Sequence, residues 1–111
     1  MSQAVRIGRQ VYLSGQVALD ERGEKVGPGD AEAQVRQIFR NIERLLEQAG
    51  AGLEDVALLT CYLTDAAHFP AYSAVKKEIF PGEAPAGTTV IVAGLLDPHF
   101  LLEVEVVASL D

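Results

Sequence analysis

At 111 residues, with 49% hydrophobic and 23% charged, the chain fits a single globular domain spanning 1–111 and is not a disordered or fibrous composition. A net charge of -7, from 9 Lys and Arg against 16 Asp and Glu, argues against a nucleic-acid partner, because phosphate binding needs clustered cations. One cysteine, Cys61, excludes an internal disulfide and a cysteine-based metal site. No stretch has the pattern of a signal peptide or the length of a membrane span, so a cytoplasmic protein with no membrane partner is expected.

The opening segment AVRIGRQVYLSGQVALD alternates apolar and polar residues around Gly8-Arg9, which predicts a β-hairpin. DERGEKVGPGD is turn chemistry throughout. A helix follows, with Asp30 as N-cap, Gly50 as the stop, and Val35, Ile38, Phe39, Ile42, Leu45, Leu46 and Ala49 as its apolar stripe. Gln34, Arg36, Gln37, Arg40, Glu43 and Arg44 fill its predicted wet side. VALLTCYLTD reads as a third strand, apolar enough to expect cover on both faces. Asp65 is a cap for a second helix whose stripe is Phe69, Tyr72, Val75 and Ile79, with Pro70 tolerated in the first turn and Pro81-Gly82 as the end. TTVIVAGLL and FLLEVEVVASL are the last two strands, joined by a turn at DPH.

The order ββαβαββ predicts an α+β two-layer domain, a mixed sheet dominated by antiparallel pairs with both helices on one face. No helix remains for the other face, where Leu13, Leu58 or Leu59, Val90, Val92 and Leu102 are expected. That surface is too apolar for water, and self-association is the economical cover.

Several residues are candidates for chemistry. Glu103 and Glu105 lie two apart, so they share one side of a strand otherwise built of Leu and Val. Either carboxylate can serve as an acid or base with its pKa raised by apolar surroundings. The competing reading is an edge or solvent-facing strand side whose acids guard against aggregation. His68 and His99 sit at a helix start and a turn, where solvated histidines are usual, and no acid or second histidine stands at metal-ligand spacing, so no metal is expected. Cys61, with Leu59 and Leu63 on its side of a strand, reads as a buried and inert thiol.

The segments SQAVRIGRQVYLSGQVALD, AQVRQIFRNIERLLEQAG, LLTCYLTDAAHFPAYSAV, PAGTTVIVAGLL and LLEVEVVA together resemble the reactive-intermediate deaminase family, RidA/YjgF, from about Ser2 to Ala108. The resemblance implies a chorismate-mutase-like fold assembled as a homotrimer, with a small-molecule ligand held in clefts between subunits. It further implies a cofactor-independent hydrolase that converts reactive enamines and imines to 2-keto acids and ammonia. By the same resemblance Glu105 matches the acidic residue that holds the attacking water, and Ser14, Gly15, Ser73 and Thr89 fall at positions by the ligand cleft, while the N–H groups of Gly87, Thr88 and Thr89 can form a small anion-binding nest.

One departure bears directly on activity. Active members of the family carry an arginine in a PARS-like turn, where it grips the substrate carboxylate. This chain reads PAGT, which puts Gly87 at that position. Met1 falls where the family has a cleft-lining tyrosine. A bidentate guanidinium–carboxylate contact contributes on the order of 1.5–3 kcal/mol per charged hydrogen bond, and its loss costs roughly two to four powers of ten in kcat/KM. The expectation is therefore a family homotrimer that binds a small metabolite, with standard 2-imino-acid deaminase activity weak or lost. The alternative is an active enamine or imine deaminase in which main-chain N–H groups or another cation replace the arginine. Gly87 itself is either a vacated anchor point or a turn glycine kept for its backbone freedom.

Overall fold

The structure, a computed structural model, describes residues 3–111. Strands β1 (Ala4–Ile7) and β2 (Gln10–Gln16) form the hairpin, turned by Gly8 at a φ of 59°. Helix α1 (Ala31–Gln48), strand β3 (Val56–Leu63), helix α2 (Phe69–Ile79) and strands β4 (Ala86–Ile91) and β5 (Leu102–Ser109) complete the order ββαβαββ. The sheet runs β1-β2-β5-β3-β4, antiparallel except for β3 with β4, which α2 connects as a crossover. Both helices pack on one face, the α+β two-layer arrangement the sequence predicts.

Local chemistry explains the boundaries. The Asp30 carboxylate accepts the Ala33 N–H at 3.0 Å, and Gly50 takes a φ of 80° where α1 must stop. Asp65 accepts the Ala67 N–H at 2.8 Å, but what it caps is a single 3-10 turn (Ala66–His68), and α2 begins only at Phe69. Strand β4 is shorter than its apolar run and ends at Ile91, three residues before Gly94.

The core joins Ile38, Ile42 and Leu46 of α1 and Tyr72 and Val75 of α2 to the helix-facing side of the sheet. That side carries Val11 and Leu13 of β2, Leu59, Cys61 and Leu63 of β3, and Leu102, Val104 and Val106 of β5, all buried. Each such aliphatic side chain contributes about 1.5–3 kcal/mol through burial. Three residues assigned by sequence to the opposite face, Leu13, Leu59 and Leu102, therefore lie in this core. Leu58 and Val90 do lie on the open face as expected, with Val5, Tyr12 and Val107, interspersed with Thr60, Tyr62, Thr88, Glu103 and Glu105. Alternation has a period of two, so a one-residue misjudgement exchanges the faces. Within one chain, strand β3 has cover on one face.

Two glutamines of the predicted wet side are also buried. Gln34, fully buried, donates to the Gly27 and His99 carbonyls at 3.0 and 3.1 Å and accepts the Leu101 N–H at 3.0 Å. Gln37 donates to Asn41, whose amide donates to the Val17 and Leu19 carbonyls at 3.2 and 2.8 Å. The flank of α1 thus fastens the long connection between β2 and α1. His99 belongs to the same fastening, since its Nε2 lies 3.1 Å from the Val26 carbonyl and its ring stands edge-on to Phe100.

Candidate functional site

The sheet divides the sequence-derived candidates between its two faces. On the open face, Thr88 of β4, Thr60 of β3 and Glu105 of β5 lie in one row across three strands. Glu103 lies one pleat further along, paired with Tyr62. On the helix face, Gly87 and Thr89 pair with Leu59 and Cys61 and so turn toward α2, where Ser73 sits. Strand β4 is an edge strand, and every one of its residues is exposed. Met1 lies outside the described residues.

The two acids have different surroundings. Strand β5 is central, between β2 and β3, so these carboxylates guard no sheet edge; they stand on the sheet's open face. Glu105 accepts a hydrogen bond from the Tyr62 hydroxyl at 2.5 Å, and this partner, together with burial and the nearby carboxylates, holds the phenol above its ordinary pKa. Glu103 instead packs against Gly15. Strand β2 carries one extra residue against β5 between Leu13 and Gln16, a β-bulge that brings Gly15 up to the acid. A Cβ on Gly15 would stand 2.7 Å from both Cδ and Oε2 of Glu103, so only glycine allows this approach. Burial, and secondly the charge on Glu105, hold the Glu103 carboxyl above the usual range. A carboxyl that keeps its proton to higher pH can give it to a basic nitrogen and recover it from water. Of the two acids Glu103 has the environment suited to acid–base work, while Glu105 is already engaged by Tyr62.

Gly87 lies within β4 and is not among the glycines with positive φ, so no turn conformation requires it. Its missing side chain matters for another reason. A Cβ there would stand 3.0 Å from the Lys76 ammonium. Lys76 belongs to α2, three residues after Ser73 on the same helix face, and its Nζ lies 5.8 Å from the centre of the Tyr72 ring. The sequence carried this signal in the Tyr72–Lys76 spacing of four, which places the pair one helical turn apart, but it passed unread. Cys61 is fully buried beneath, and burial pushes its thiol up to about 12, which leaves it unreactive. Among the described residues no group of three His, Cys, Asp or Glu side chains converges as a metal site, and no helix is long and apolar enough to cross a membrane.

The chain matches the family model described as Endoribonuclease L-PSP over residues 1–110. It is 41% identical over 105 residues to the 3-aminoacrylate deaminase RutC of Acinetobacter baylyi, covering 95% of this chain and 82% of that one. It is 36% identical over 108 residues to a RutC family protein of Sulfurisphaera tokodaii, covering 97% and 86%. The crystal structure of RidA from an Antarctic Psychrobacter superposes with a TM-score of 0.92 at 35% identity, covering 99% of this chain and 88% of that one. Matched from end to end by the family model and by relatives of this similarity, the chain belongs to the Endoribonuclease L-PSP family, the RidA/YjgF group that its sequence segments resemble.

Proposed function

We propose that the chain carries a deaminase-type site for small imines or enamines, assembled where two copies meet, and that it works weakly on small 2-imino acids because Gly87 offers no guanidinium. The observation that carries this reading is Glu103, a half-buried carboxyl with raised proton affinity lying against a glycine-opened main chain. In the reaction, water oxygen bonds to the imine carbon while Glu103 gives its proton to the imine nitrogen and takes one from the water. The carbinolamine hydroxyl then passes its proton, by way of Glu103, to the nitrogen as the carbon–nitrogen bond breaks, releasing ammonia and a ketone. No electron is transferred to or from any other group, so the reaction needs no cofactor.

Glu103 and Gly87 lie on opposite faces of one sheet, which supports a site shared between copies. One copy contributes the bulge and its acid, and a neighbour contributes the exposed rim of β4 in a homotrimer. The apolar open face, with Tyr12 at 42% and Val5 at 46% exposed, favours such packing. A net charge of -7 favours a small ligand over RNA, despite the name the family carries.

The test is ammonia release from 2-iminobutanoate generated in solution. Slow acceleration by the wild-type protein, abolished in Glu103→Gln and retained in Glu105→Gln, is expected. Turnover undiminished by Glu103→Gln overturns the assignment of the acid, and a monomeric mass by light scattering overturns the shared site.

A further inference from the structure

The ammonium of Lys76 occupies the space in front of Gly87, and several features point to a purpose there. A backbone without positive φ accepts any residue at position 87, so conformational freedom does not explain the glycine. The nearest group a side chain would displace is the tip of Lys76, at 3.0 Å. No carboxylate pairs with Lys76 among the described residues, although five ion pairs form elsewhere between side chains of this acidic chain. The Tyr72 ring, one helical turn earlier, braces the charge at 5.8 Å, and the side chain is only half-exposed. Ser73 on the same helix face and Thr89 on the same side of β4 add hydroxyl groups around it.

We infer that Lys76 is the cation that anchors the acid group of the ligand, reaching from α2 into the space that Gly87 leaves open. This rests on the reading above that a ligand sits at the β4 rim. The exchange has consequences for the substrate class. An ammonium is a point charge with no planar fork, so it holds a carboxylate with less control of orientation. It also lies at the strand itself, where an arginine at 87 would carry its charge a full side chain further out. A carboxylate must therefore enter deeper to meet it, which favours an acid longer than a three- or four-carbon imino acid. The ligand class is a medium-chain 2-imino or 2-keto monocarboxylate.

The test uses 2-oxohexanoate, 2-oxobutanoate and the neutral ketone hexan-2-one, titrated by calorimetry or NMR into the wild-type oligomer, Lys76→Ala and Lys76→Arg. The longer acid binds best, and Lys76→Ala weakens it by about tenfold and removes most of its salt dependence. Hexan-2-one binds both proteins alike, and Lys76→Arg retains the acid. A Lys76→Ala, Gly87→Arg double variant regains acid binding with preference shifted to 2-oxobutanoate. Equal binding of 2-oxohexanoate by wild type and Lys76→Ala overturns the inference, even where imine turnover persists and depends on Glu103. Lysine-dependent acid binding without any imine turnover upholds it while the deaminase reading falls.

Discussion

The Glu103 carboxyl lies so close to the main chain of Gly15 that a single methyl group there would stand 2.7 Å from two of its atoms. On the proposed reading Gly15 positions the acid, and Gly15→Ala tests it. The added carbon must push Glu103 aside, because the β-bulge is fixed by pairing on both sides. The carboxyl is the free end of a flexible side chain, so the shift itself costs little stability, while displacement of a reacting group by a fraction of an ångström lowers turnover by about tenfold or more. The expected result is an unchanged mass by light scattering, little change in stability, and a fall in kcat larger than any change in KM. Wild-type kcat in a folded Gly15→Ala protein would show that the contact is incidental.

Much of the architecture was legible because its signals are local and repeated. The stripe of α1, the Asp30 cap and the Gly50 stop all follow from spacing within one helix. What spacing could not fix was which apolar set faces the helices, since Leu13, Leu59 and Leu102 have apolar neighbours such as Leu58 and Leu101. Nor could it tell Glu103 from Glu105. Both point the same way, and only the bulge at Ser14-Gly15 and the Tyr62 hydroxyl separate their environments. Lys76 escaped notice because its meaning depends on a crossover that lays α2 beside β4, a long-range fact that no short motif encodes.

Raised proton affinity at Glu103 makes a prediction about stability. Its folded-state pKa lies above the ordinary value of 4.5, so the folded chain binds this proton more tightly than the unfolded chain does. Stability from this group is full below the ordinary carboxylate range and is lost as pH rises through the raised value. Glu103→Gln removes the charge, so at neutral pH its melting temperature exceeds that of wild type. Partial solvent exposure limits the gain to roughly 1–3 °C, measured at equal protein concentration. As the pH falls below 4.5 the two curves converge. A constant offset at every pH would mean that packing, not ionisation, distinguishes the variant.

Gln34 makes a second stability prediction, of opposite sign. Its side chain satisfies the Gly27 and His99 carbonyls and the Leu101 N–H from a fully buried position. Gln34→Leu keeps similar bulk but leaves those main-chain groups without their partner, at a cost of about 2–3 kcal/mol. Urea denaturation should show the midpoint falling with the slope unchanged. A variant within a few tenths of a kcal/mol of wild type would show that water or a shifted loop replaces the amide. The surface pair Lys25–Asp97, which fastens the same two loops, is a poor substitute because it is solvent-exposed and screened by salt.

The Tyr62–Glu105 contact reports on the open face without any ligand. The phenol's titration is raised first by its hydrogen bond to Glu105, then by burial and by the charges of Glu105 and Glu103. Glu105→Gln removes the charge that opposes phenolate formation, so the Tyr62 titration shifts down toward the ordinary value of 10. Ultraviolet absorbance of phenolate against pH reads the shift, with Tyr62→Phe subtracted to remove Tyr12 and Tyr72. Glu103→Gln should move the same titration less, because its charge acts without a hydrogen bond to the phenol. Equal shifts in the two glutamine variants would show that both acids act on Tyr62 only through their charge. Glu105 would then be no more tethered to Tyr62 than Glu103 is.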